Sequence, residues 1–219
     1  NTGSIFAARS IVEAEFYQYV KNFGFGEEAG LEMQGDAPGD ISNLDDLKEI
    51  NMVTGSYGQG ITVTLLQLAQ AYAVIANGGN LVKPYIVESI IDANGEETKT
   101  TPTLIRKVIS EKVATMLSAM LVSVVDNGHG KRAGIPGYFV AGKTGTAQVP
   151  YKDRTGYDPE KHIGSFVGFA PASDPRFVIA VRMDDPKDVD WAESSAAPLF
   201  GEIAKFLVEY FQIPPDRQL

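Results

Sequence analysis

The sequence contains no cysteine, only two histidines and one tryptophan. The missing thiols exclude disulfides and thiolate metal sites, and with so few histidines a metal site would need mostly carboxylate ligands. Basic residues are also scarce, since 19 lysines and arginines stand against 28 acidic residues and the net charge is -9. This balance argues against a nucleic-acid-binding surface or a patch for anionic membranes, because both need clustered positive charge.

Long apolar runs are absent as well. The best one, residues 65–76, is interrupted by Gln67 and Gln70 and falls short of the roughly 18 apolar residues that indicate a membrane span. The 219 residues, 44% of them hydrophobic, are enough for one large domain or for much of one. The sequence opens on Asn1 without an initiator methionine or a basic leader, so we expect a processed or partial chain.

Hydrophobic periodicity predicts helices in four parts of the chain. These are residues 12–23, 65–76, 111–125 and 198–211. Gly24 is expected to end the first helix, and Ser110 to cap the third. Thr64 and Gln67 have the spacing of a capping box at the start of the second. Because the second helix has almost no polar face, we expect it to be buried on most sides.

β-Branched residues and turn pairs predict the strands. Residues 81–92 are rich in β-branched side chains, and Asn94-Gly95 forms a hairpin turn into residues 97–101. Further strands are expected over residues 138–148, 164–170 and 177–183. Residues 30–47, rich in glycine, proline and aspartate, are expected to form a loop. Successive strands with short links predict an α+β fold, in which an antiparallel sheet is flanked by helices.

The run Lys143-Thr144-Gly145-Thr146 ends an apolar strand with a cation, two hydroxyls and a bare backbone. On an edge strand, this run could pair with an extended peptide, and Gly145 would let the peptide backbone come close. Alternation places Lys143 and Gly145 on one face and the two threonines on the other. The hydroxyls of Thr144 and Thr146 could hold a carboxylate, and a backbone N–H near Thr146 could form half of an oxyanion hole. Lys-Thr-Gly alone is a common tripeptide at strand ends.

Several blocks of sequence together resemble the transpeptidase domain of class B penicillin-binding proteins. In the family's order they are residues 54–60 (TGSYGQG), 62–72 (TVTLLQLAQAY), 76–79 (ANGG), 130–138 (GKRAGIPGY), 140–148 (VAGKTGTAQ), 165–171 (SFVGFAP), 197–200 (APLF) and 213–215 (IPP). They cover nearly the whole chain. The block around Lys143 is most similar to division-specific or sporulation-specific members, with elongation-specific members as the close alternative.

The resemblance implies a β-lactamase/transpeptidase-like fold, a three-layer α/β/α sandwich with a helical subdomain, which is incomplete in this chain. Residues 1–219 would then be the C-terminal portion of a single transpeptidase domain. The family carries a Ser-x-x-Lys with the nucleophile, a Ser-x-Asn and a Lys-Thr-Gly motif, and no Ser-x-x-Lys occurs in this sequence. Residues 1–3 (NTG), followed by residues 21–26 (KNFGFG), match the second motif from its asparagine onward. The resemblance therefore places the serine upstream of Asn1.

The activity implied is a peptidoglycan D,D-transpeptidase that β-lactams acylate, without any cofactor. By resemblance, Lys143 and Asn1 are the catalytic candidates, and Thr146 contributes to the oxyanion hole. Thr144, Gly145 and Thr146 would bind the stem peptide or the β-lactam. The resemblance further implies an upstream segment of the same protein that carries Ser-x-x-Lys, and a glycosyltransferase as a candidate partner. It also implies a membrane anchor, with the catalytic domain outside the cytoplasmic membrane.

Two other classes of function remain open at this point. A β-lactamase or a D,D-carboxypeptidase shares Lys-Thr-Gly but passes the acyl group to water. A non-catalytic binding or scaffold module would lack the nucleophile because its site has degenerated. A Ser-x-x-Lys some tens of residues upstream of Asn1 would eliminate the degenerate module.

The remaining motifs have plain interpretations. His129 and His162 are expected to be solvated loop residues rather than acid–base catalysts. Gly58-Gln-Gly60 lacks the Gly-Lys-Ser/Thr ending of a phosphate loop, although a supporting role near the site is open for Tyr57 and Gln59. A surface loop without a calcium-loop pattern is expected for the acidic cluster of Asp184, Asp185, Asp188, Asp190 and Glu193. Residues 149–161 would either rim the cleft or form a solvated hairpin tip.

Overall fold

The computed structural model describes residues 1–151, 153–187, 189 and 191–217, except for the side chain of Pro150. The chain forms two compact units. Unit 1 consists of Asn1–Val74 and Gly79–Ile109, and unit 2 of Ile75–Gly78 and Ser110–Leu219. Within the described parts, no helix is both long enough and apolar enough to cross a membrane.

Unit 1 contains helices and two small sheets. Its helices are α1 (Thr2–Ala8), α2 (Glu13–Asn22), α3 (Glu49–Ser56) and α4 (Leu65–Ala76), the last two residues of which belong to unit 2. The antiparallel strand pairs are β1 (Asn80–Lys83) with β4 (Thr103–Lys107), and β2 (Ser89–Ile91) with β3 (Glu97–Lys99). The predicted helices α2 and α4, the loop and the Asn94-Gly95 hairpin are confirmed.

The sequence pattern did not predict α1, α3 or β4. Both helices are short and pack against each other, with an ion pair of 2.8 Å between Arg9 and Glu49. Tertiary contacts of this kind can form a helix where the local pattern is weak.

The side-chain amide of Gln67 ties the long loop of unit 1 to α4. Gln67 Oε1 accepts the Thr64 N–H at 2.9 Å and Thr64 Oγ1 accepts the Gln67 N–H at 3.1 Å, so the predicted capping box is confirmed. Gln67 Nε2 donates to the carbonyls of Gly24, Glu27 and Pro38 at 3.3, 2.9 and 2.7 Å. A single fully buried amide therefore attaches three points of the loop to the start of the helix.

The expectation that α4 is buried on most sides is confirmed, because every residue of the helix except Leu65 is buried or partly buried. Only one face of the helix is fully buried, and it consists of Gln67, Gln70, Ala71 and Val74. Leu65 is 39% exposed. Gln70 Nε2 donates to Val82 O at 3.0 Å and lies 3.5 Å from Ala29 O. The two polar residues of the run face inward because their amides satisfy buried backbone carbonyls.

Unit 2 is built on a three-stranded antiparallel sheet in the order β5-β6-β7. The strands are β5 (Ala141–Pro150), β6 (Tyr157–Ala170) and β7 (Phe177–Asp184). Helix α5 (Glu111–Asn127) packs against β5, and α6 (Ala196–Tyr210) packs against β6 and β7. Ser110 Oγ accepts the Val113 N–H at 3.3 Å and caps α5 as predicted. The predicted α+β fold with an antiparallel sheet flanked by helices is confirmed.

The core of unit 2 covers both faces of this sheet. Phe166 of β6 packs on Phe200 of α6 with the ring centroids 4.6 Å apart. Phe166 and Phe169 are fully buried, and Val167 is 4% exposed. Because neighbouring strand residues point to opposite faces, burial of both Phe166 and Val167 requires cover on both sides of β6.

The strand boundaries differ from those predicted. Residues 138–140 precede β5 instead of belonging to it, because the main chain of Phe139 bonds outside the sheet. Its N–H donates to Asp216 Oδ1 at 2.8 Å, and its carbonyl accepts the Ala172 N–H at 2.8 Å. β6 begins at Tyr157 rather than at Gly164, so residues 149–150 and 157–161 of the predicted connection belong to the two strands.

The buried amide of Gln67 gives a test of this fold. We expect Gln67→Leu to lower the free energy of unfolding by about 2–3 kcal/mol, because three buried carbonyls lose their donor. Gln18→Leu is the matched control, since Gln18 is exposed and bonds only to Asn22 of its own helix, at 2.9 Å. Urea denaturation of both variants, each made in the full-length protein, measures the difference. Equal stability of the two variants would contradict the role assigned to Gln67.

Candidate active site

β5 forms one edge of the described sheet. It pairs with β6 in antiparallel register, from Ala141 opposite Phe169 to Gln148 opposite His162. No described strand pairs with its other side. Its outer main-chain groups are therefore placed as β-strand addition of a peptide requires.

Side chains alternate along β5 as expected. Thr144 lies opposite Phe166, which packs on Phe200 of α6, so Thr144 and Thr146 belong to the α6 face of the sheet. Lys143 and Gly145 belong to the opposite face, because residues one apart in a strand point in opposite directions. The two hydroxyl groups and the Cβ atom of Lys143 therefore lie on opposite faces of the strand.

The long side chain of Lys143 bends around the strand, so that its ammonium group reaches Thr144 on the other face. Lys143 Nζ donates to Thr144 O at 2.9 Å and to Thr144 Oγ1 at 3.1 Å, which brings the charge to the edge of the strand. Partial desolvation lowers the pKa of Lys143 from its ordinary value of 10.5, although much of the side chain still reaches solvent. No carboxylate of the described chain forms an ion pair with it. A cation with only neutral oxygen partners is suited to bind an anion.

Thr146 is held by a loop that the sequence did not connect with the site. Its Oγ1 accepts the backbone N–H of Ala192 at 3.3 Å. An oxygen that accepts this bond keeps its own hydrogen, so the hydroxyl can still donate to a ligand. Sequence reasoning missed the contact because Ala192 lies 46 residues away, in a segment that looked like an acidic surface loop. The exposed Trp191, the only tryptophan, was the one local signal.

Packing inside the sheet favours a residue without a side chain at Gly145. A Cβ atom at Gly145 would lie 2.5 Å from Ser165 Oγ, on the neighbouring strand. Ser165 Oγ in turn donates to Gly145 O at 3.3 Å. A side chain at this position would therefore displace the hydroxyl of Ser165 and break that bond.

Asn1, the other predicted catalytic residue, belongs to unit 1. It is exposed and stands at the N-cap position of α1, where its carbonyl accepts the Ile5 N–H at 3.1 Å. Its side chain makes no capping hydrogen bond. Lys143, Thr144, Gly145 and Thr146 all lie in unit 2, and the contact of Asn1 with a substrate stays a prediction.

The two histidines differ from each other. His129 lies in the loop after α5, where its Nδ1 is 2.6 Å from Glu193 Oε2 at an exposed position. His162 was also expected in a loop, and this is wrong, because it lies in β6 opposite Gln148. β6 extends beyond its predicted start, and the Asp185 N–H donates to His162 O at 2.8 Å.

The acidic cluster has no metal-binding geometry in its described part. Asp184 pairs with Arg182 and Asp185 with Lys187, each at 2.7 Å. Asp188 and Asp190 lie outside the described residues. No group of three potential ligands is found among the described histidine, aspartate and glutamate side chains.

Two further candidate segments are the glycine-containing run Gly58-Gln-Gly60 and the hairpin tip between β5 and β6. Gly58-Gln-Gly60 follows the C-terminus of α3 in unit 1, whereas a phosphate loop precedes a helix N-terminus. At the tip between β5 and β6, the Arg154 guanidinium lies 3.8 Å from the ring centroid of Tyr151, and the Tyr151 N–H donates to Gly156 O at 3.0 Å. Lys152 is outside the described residues.

Comparison with known proteins identifies the family to which this arrangement belongs. The family described as "Penicillin binding protein transpeptidase domain" matches residues 1–205. The chain belongs to the penicillin-binding protein transpeptidase family. The predicted resemblance and the predicted transpeptidase fold are both confirmed.

The similar proteins include division and sporulation types. Stage V sporulation protein D of Bacillus subtilis (strain 168) is 37% identical over 220 residues, which are 99% of this chain and 34% of that protein. The peptidoglycan D,D-transpeptidase FtsI homolog of Mesostigma viride is 31% identical over 238 residues, which are 99% of this chain and 39% of that protein. The transpeptidase chain thus spans about a third of the length of these curated relatives.

A solved structure has the same fold. Penicillin-binding protein 3 of Mycobacterium tuberculosis, complexed with aztreonam, matches with a TM-score of 0.90 and 31% identity. The match covers 98% of this chain and 50% of that one.

The contact between Gly145 and Ser165 gives a test of the β5–β6 packing. We expect Gly145→Ala to destabilise the transpeptidase fold by about 1 kcal/mol, because the Ser165 hydroxyl must rotate away and lose its bond to Gly145 O. Combining it with Ser165→Gly should recover part of the loss, with a coupling energy of about 0.5–1 kcal/mol. Chemical denaturation of the two single variants and the double variant, all made in the full-length protein, measures this coupling.

Gly3→Ala is the control, because nothing lies within 4 Å of a Cβ at Gly3 and alanine favours the helix. Strict additivity of Gly145→Ala and Ser165→Gly would contradict the clash.

Proposed function

We propose that this chain is the substrate-holding portion of a peptidoglycan D,D-transpeptidase that acts in septum or spore formation and is acylated by β-lactams. The outer edge of β5, with which no described strand pairs, carries this proposal together with Lys143, Thr144 and Thr146. The Mesostigma relative, which is named as a D,D-transpeptidase, and the aztreonam complex of the tuberculosis protein support the same class of substrate.

The stem peptide would bind as an added strand along β5. Main-chain hydrogen bonds would supply affinity, while the terminal carboxylate of the peptide meets the hydroxyls of Thr144 and Thr146. The ammonium of Lys143 lies within 3.1 Å of the Thr144 hydroxyl, so it adds positive potential at the carboxylate. The backbone N–H near Thr146 would serve as one donor to the developing oxyanion. Gly145 would keep the strand free of a side chain where the peptide lies closest.

The reaction then follows the chemistry of a serine acyl transfer. The serine oxygen bonds to the penultimate D-Ala carbonyl carbon, the peptide C–N bond breaks, and the serine proton passes to the departing D-Ala amine. An amine of a second stem peptide attacks the ester, forms the cross-link and returns a proton to the serine. A β-lactam would acylate the same serine when its ring amide opens.

The nucleophile would come from another part of the same protein, since this sequence has no Ser-x-x-Lys. The large apolar side chains that unit 2 exposes support such a segment. On α5 and α6 they are Val113, Met116, Met120, Leu199, Ile203, Phe206 and Tyr210, between 36% and 67% exposed. Isolated apolar residues at a surface are ordinary, but two helices with exposed apolar rows indicate a covered interface.

The free side of β7 supports the same proposal. No described strand pairs with it, yet its residues 177–181 are all hydrophobic, as in a strand with neighbours on both sides. We therefore propose that residues 1–219 are the C-terminal portion of one transpeptidase domain. Alone, the chain should be inactive and should not unfold as a cooperative monomer.

The remaining parts of the proposal concern the cell. The full-length protein would be anchored by an upstream membrane helix, with the catalytic domain outside the cytoplasmic membrane. Its partners would be peptidoglycan stem peptides, β-lactams and a glycosyltransferase. We propose no cofactor, because serine acyl transfer requires none.

Mass spectrometry of the full-length protein after incubation with penicillin tests the proposal. We expect one covalent adduct, located by peptide mapping on the serine of an upstream Ser-x-x-Lys, and no adduct on this chain alone. A full-length protein without any adduct would support a non-catalytic scaffold, and rapid loss of the adduct with hydrolysed penicillin would support a β-lactamase. Either result would overturn the transpeptidase.

Lys143→Met in the full-length protein tests the role of the cation. We expect the acylation rate to fall about 10²-fold, as for loss of a positioned proton-transfer or charge-stabilising group. Because desolvation lowers the pKa of Lys143, its charged form is disfavoured in the folded state, and the variant should not lose stability at neutral pH.

Lys99→Met, on the exposed strand β3, is the control and should keep the wild-type rate. A wild-type acylation rate in Lys143→Met would show that Lys143 has no role in acylation.

A further inference from the structure

The last described residues of unit 2 form a strap, residues 213–217, across the segment that leads into β5. Tyr138 Oη donates to Ile213 O at 2.6 Å. The Arg217 N–H donates to Gly137 O at 3.1 Å. With the bond from the Phe139 N–H to Asp216, three consecutive residues ahead of β5 are tied to the strap.

The carboxylate of Asp216 is the centre of this arrangement. Its Oδ1 accepts the Phe139 N–H at 2.8 Å, and its Oδ2 accepts the Ser173 hydroxyl at 2.6 Å and the Ser173 N–H at 3.3 Å. Ser173 lies in the turn between β6 and β7. In the same turn, the Ala172 N–H donates to the Phe139 carbonyl at 2.8 Å. One carboxylate therefore links the entry of β5, that is, the segment 137–139 that leads into the strand, to the turn after the C-terminal end of β6.

Arg217 adds a second attachment, to α5. Its guanidinium pairs with Asp126 at 2.8 Å and lies 4.8 Å from the ring centroid of Phe139. Both charged side chains remain partly exposed, so this pair contributes little on its own. The Asp216 carboxylate is the stronger attachment, because it accepts three hydrogen bonds and two of them come from backbone N–H groups.

The strap acts on the proposed site through a short, rigid connection. Phe139 is followed by Val140 and Ala141, which are 1% and 0% exposed, and Lys143 comes two residues later. Packed residues cannot slide independently of their neighbours. A shift of Phe139 along the strand direction would therefore move Lys143 and Thr146 relative to β6.

We propose that Asp216 is a positioning residue for the transpeptidase reaction: it fixes the entry of β5, so that Lys143 and Thr146 meet the acyl donor in the correct register. The inference rests on the proposed function of β5. A shift of about 1 Å in positioned groups can cost about 10²-fold in rate, so a bond remote from the reacting atoms can control acylation.

The test is the second-order rate of acylation of the full-length protein by a fluorescent penicillin. The concentration of acylatable protein is first determined by titration with the penicillin. The rate constant is then calculated for this active fraction, so that unfolded protein does not affect it. We expect Asp216→Ala to lower this rate about 10-fold or more. Asp216→Asn keeps an oxygen for the Phe139 N–H and should recover part of the loss. The control is Asp174→Ala, since Asp174 is exposed and adjoins Ser173.

A lower melting temperature of Asp216→Ala with a wild-type acylation rate of its active fraction would overturn the proposal, because Asp216 would then only stabilise the fold. If Asp216→Ala does not fold, Ser173→Ala decides instead. It removes one bond to the carboxylate and should lower the rate about 3-fold, the effect of losing less than 1 kcal/mol; an unchanged rate would overturn positioning. A wild-type protein that is not acylated would overturn the proposed function as well, whereas an unchanged variant rate affects the positioning alone.

Discussion

The antiparallel pairing of β5 with β6 is the constraint on which the candidate site depends. Its register sets Thr144 opposite Phe166, Gly145 opposite Ser165 and Thr146 opposite Gly164. This register directs the hydroxyls to the α6 face and leaves the outer main-chain groups of β5 without a described partner. A slip of one residue would exchange the faces of Lys143 and Thr144 and so remove the site.

Polar side chains stabilise two segments that the strand register does not hold. In unit 1, the amide of Gln67 attaches the irregular loop 24–39 to α4. In unit 2, the carboxylate of Asp216 attaches the entry of β5 to the β6–β7 turn. Both groups bond to main-chain atoms of segments without regular structure, and the buried Gln67 satisfies carbonyls that would otherwise lack a donor.

Local patterns in the sequence predicted the elements that local forces determine. The capping pair Thr64 and Gln67, the cap at Ser110 and the turn Asn94-Gly95 each act within a few residues, and all three are present. The family and the strand with Lys143 followed from sequence blocks that lie in a known order. The inward direction of Gln67 did not follow, because the carbonyls that it satisfies are contributed by a distant loop.

Long-range contacts account for what the sequence did not predict. Strand β5 begins later than predicted because the Phe139 N–H donates to Asp216, 77 residues away. The hydroxyl of Thr146 accepts a hydrogen bond from the N–H of Ala192, 46 residues away. The early start of β6 depends on its pairing with the end of β5. Such contacts arise only when the chain is folded, and a single sequence carries no periodic signal for them.

Amide hydrogen exchange of β5 in the full-length protein tests the central claim, that the outer edge of this strand holds the acyl group. Exchange would be compared before and after acylation by penicillin. We predict slower exchange for amides within residues 143–146, at least about tenfold, with little change in β2 and β3, which belong to the other unit. Unchanged exchange in residues 143–146 of a fully acylated protein would contradict the account.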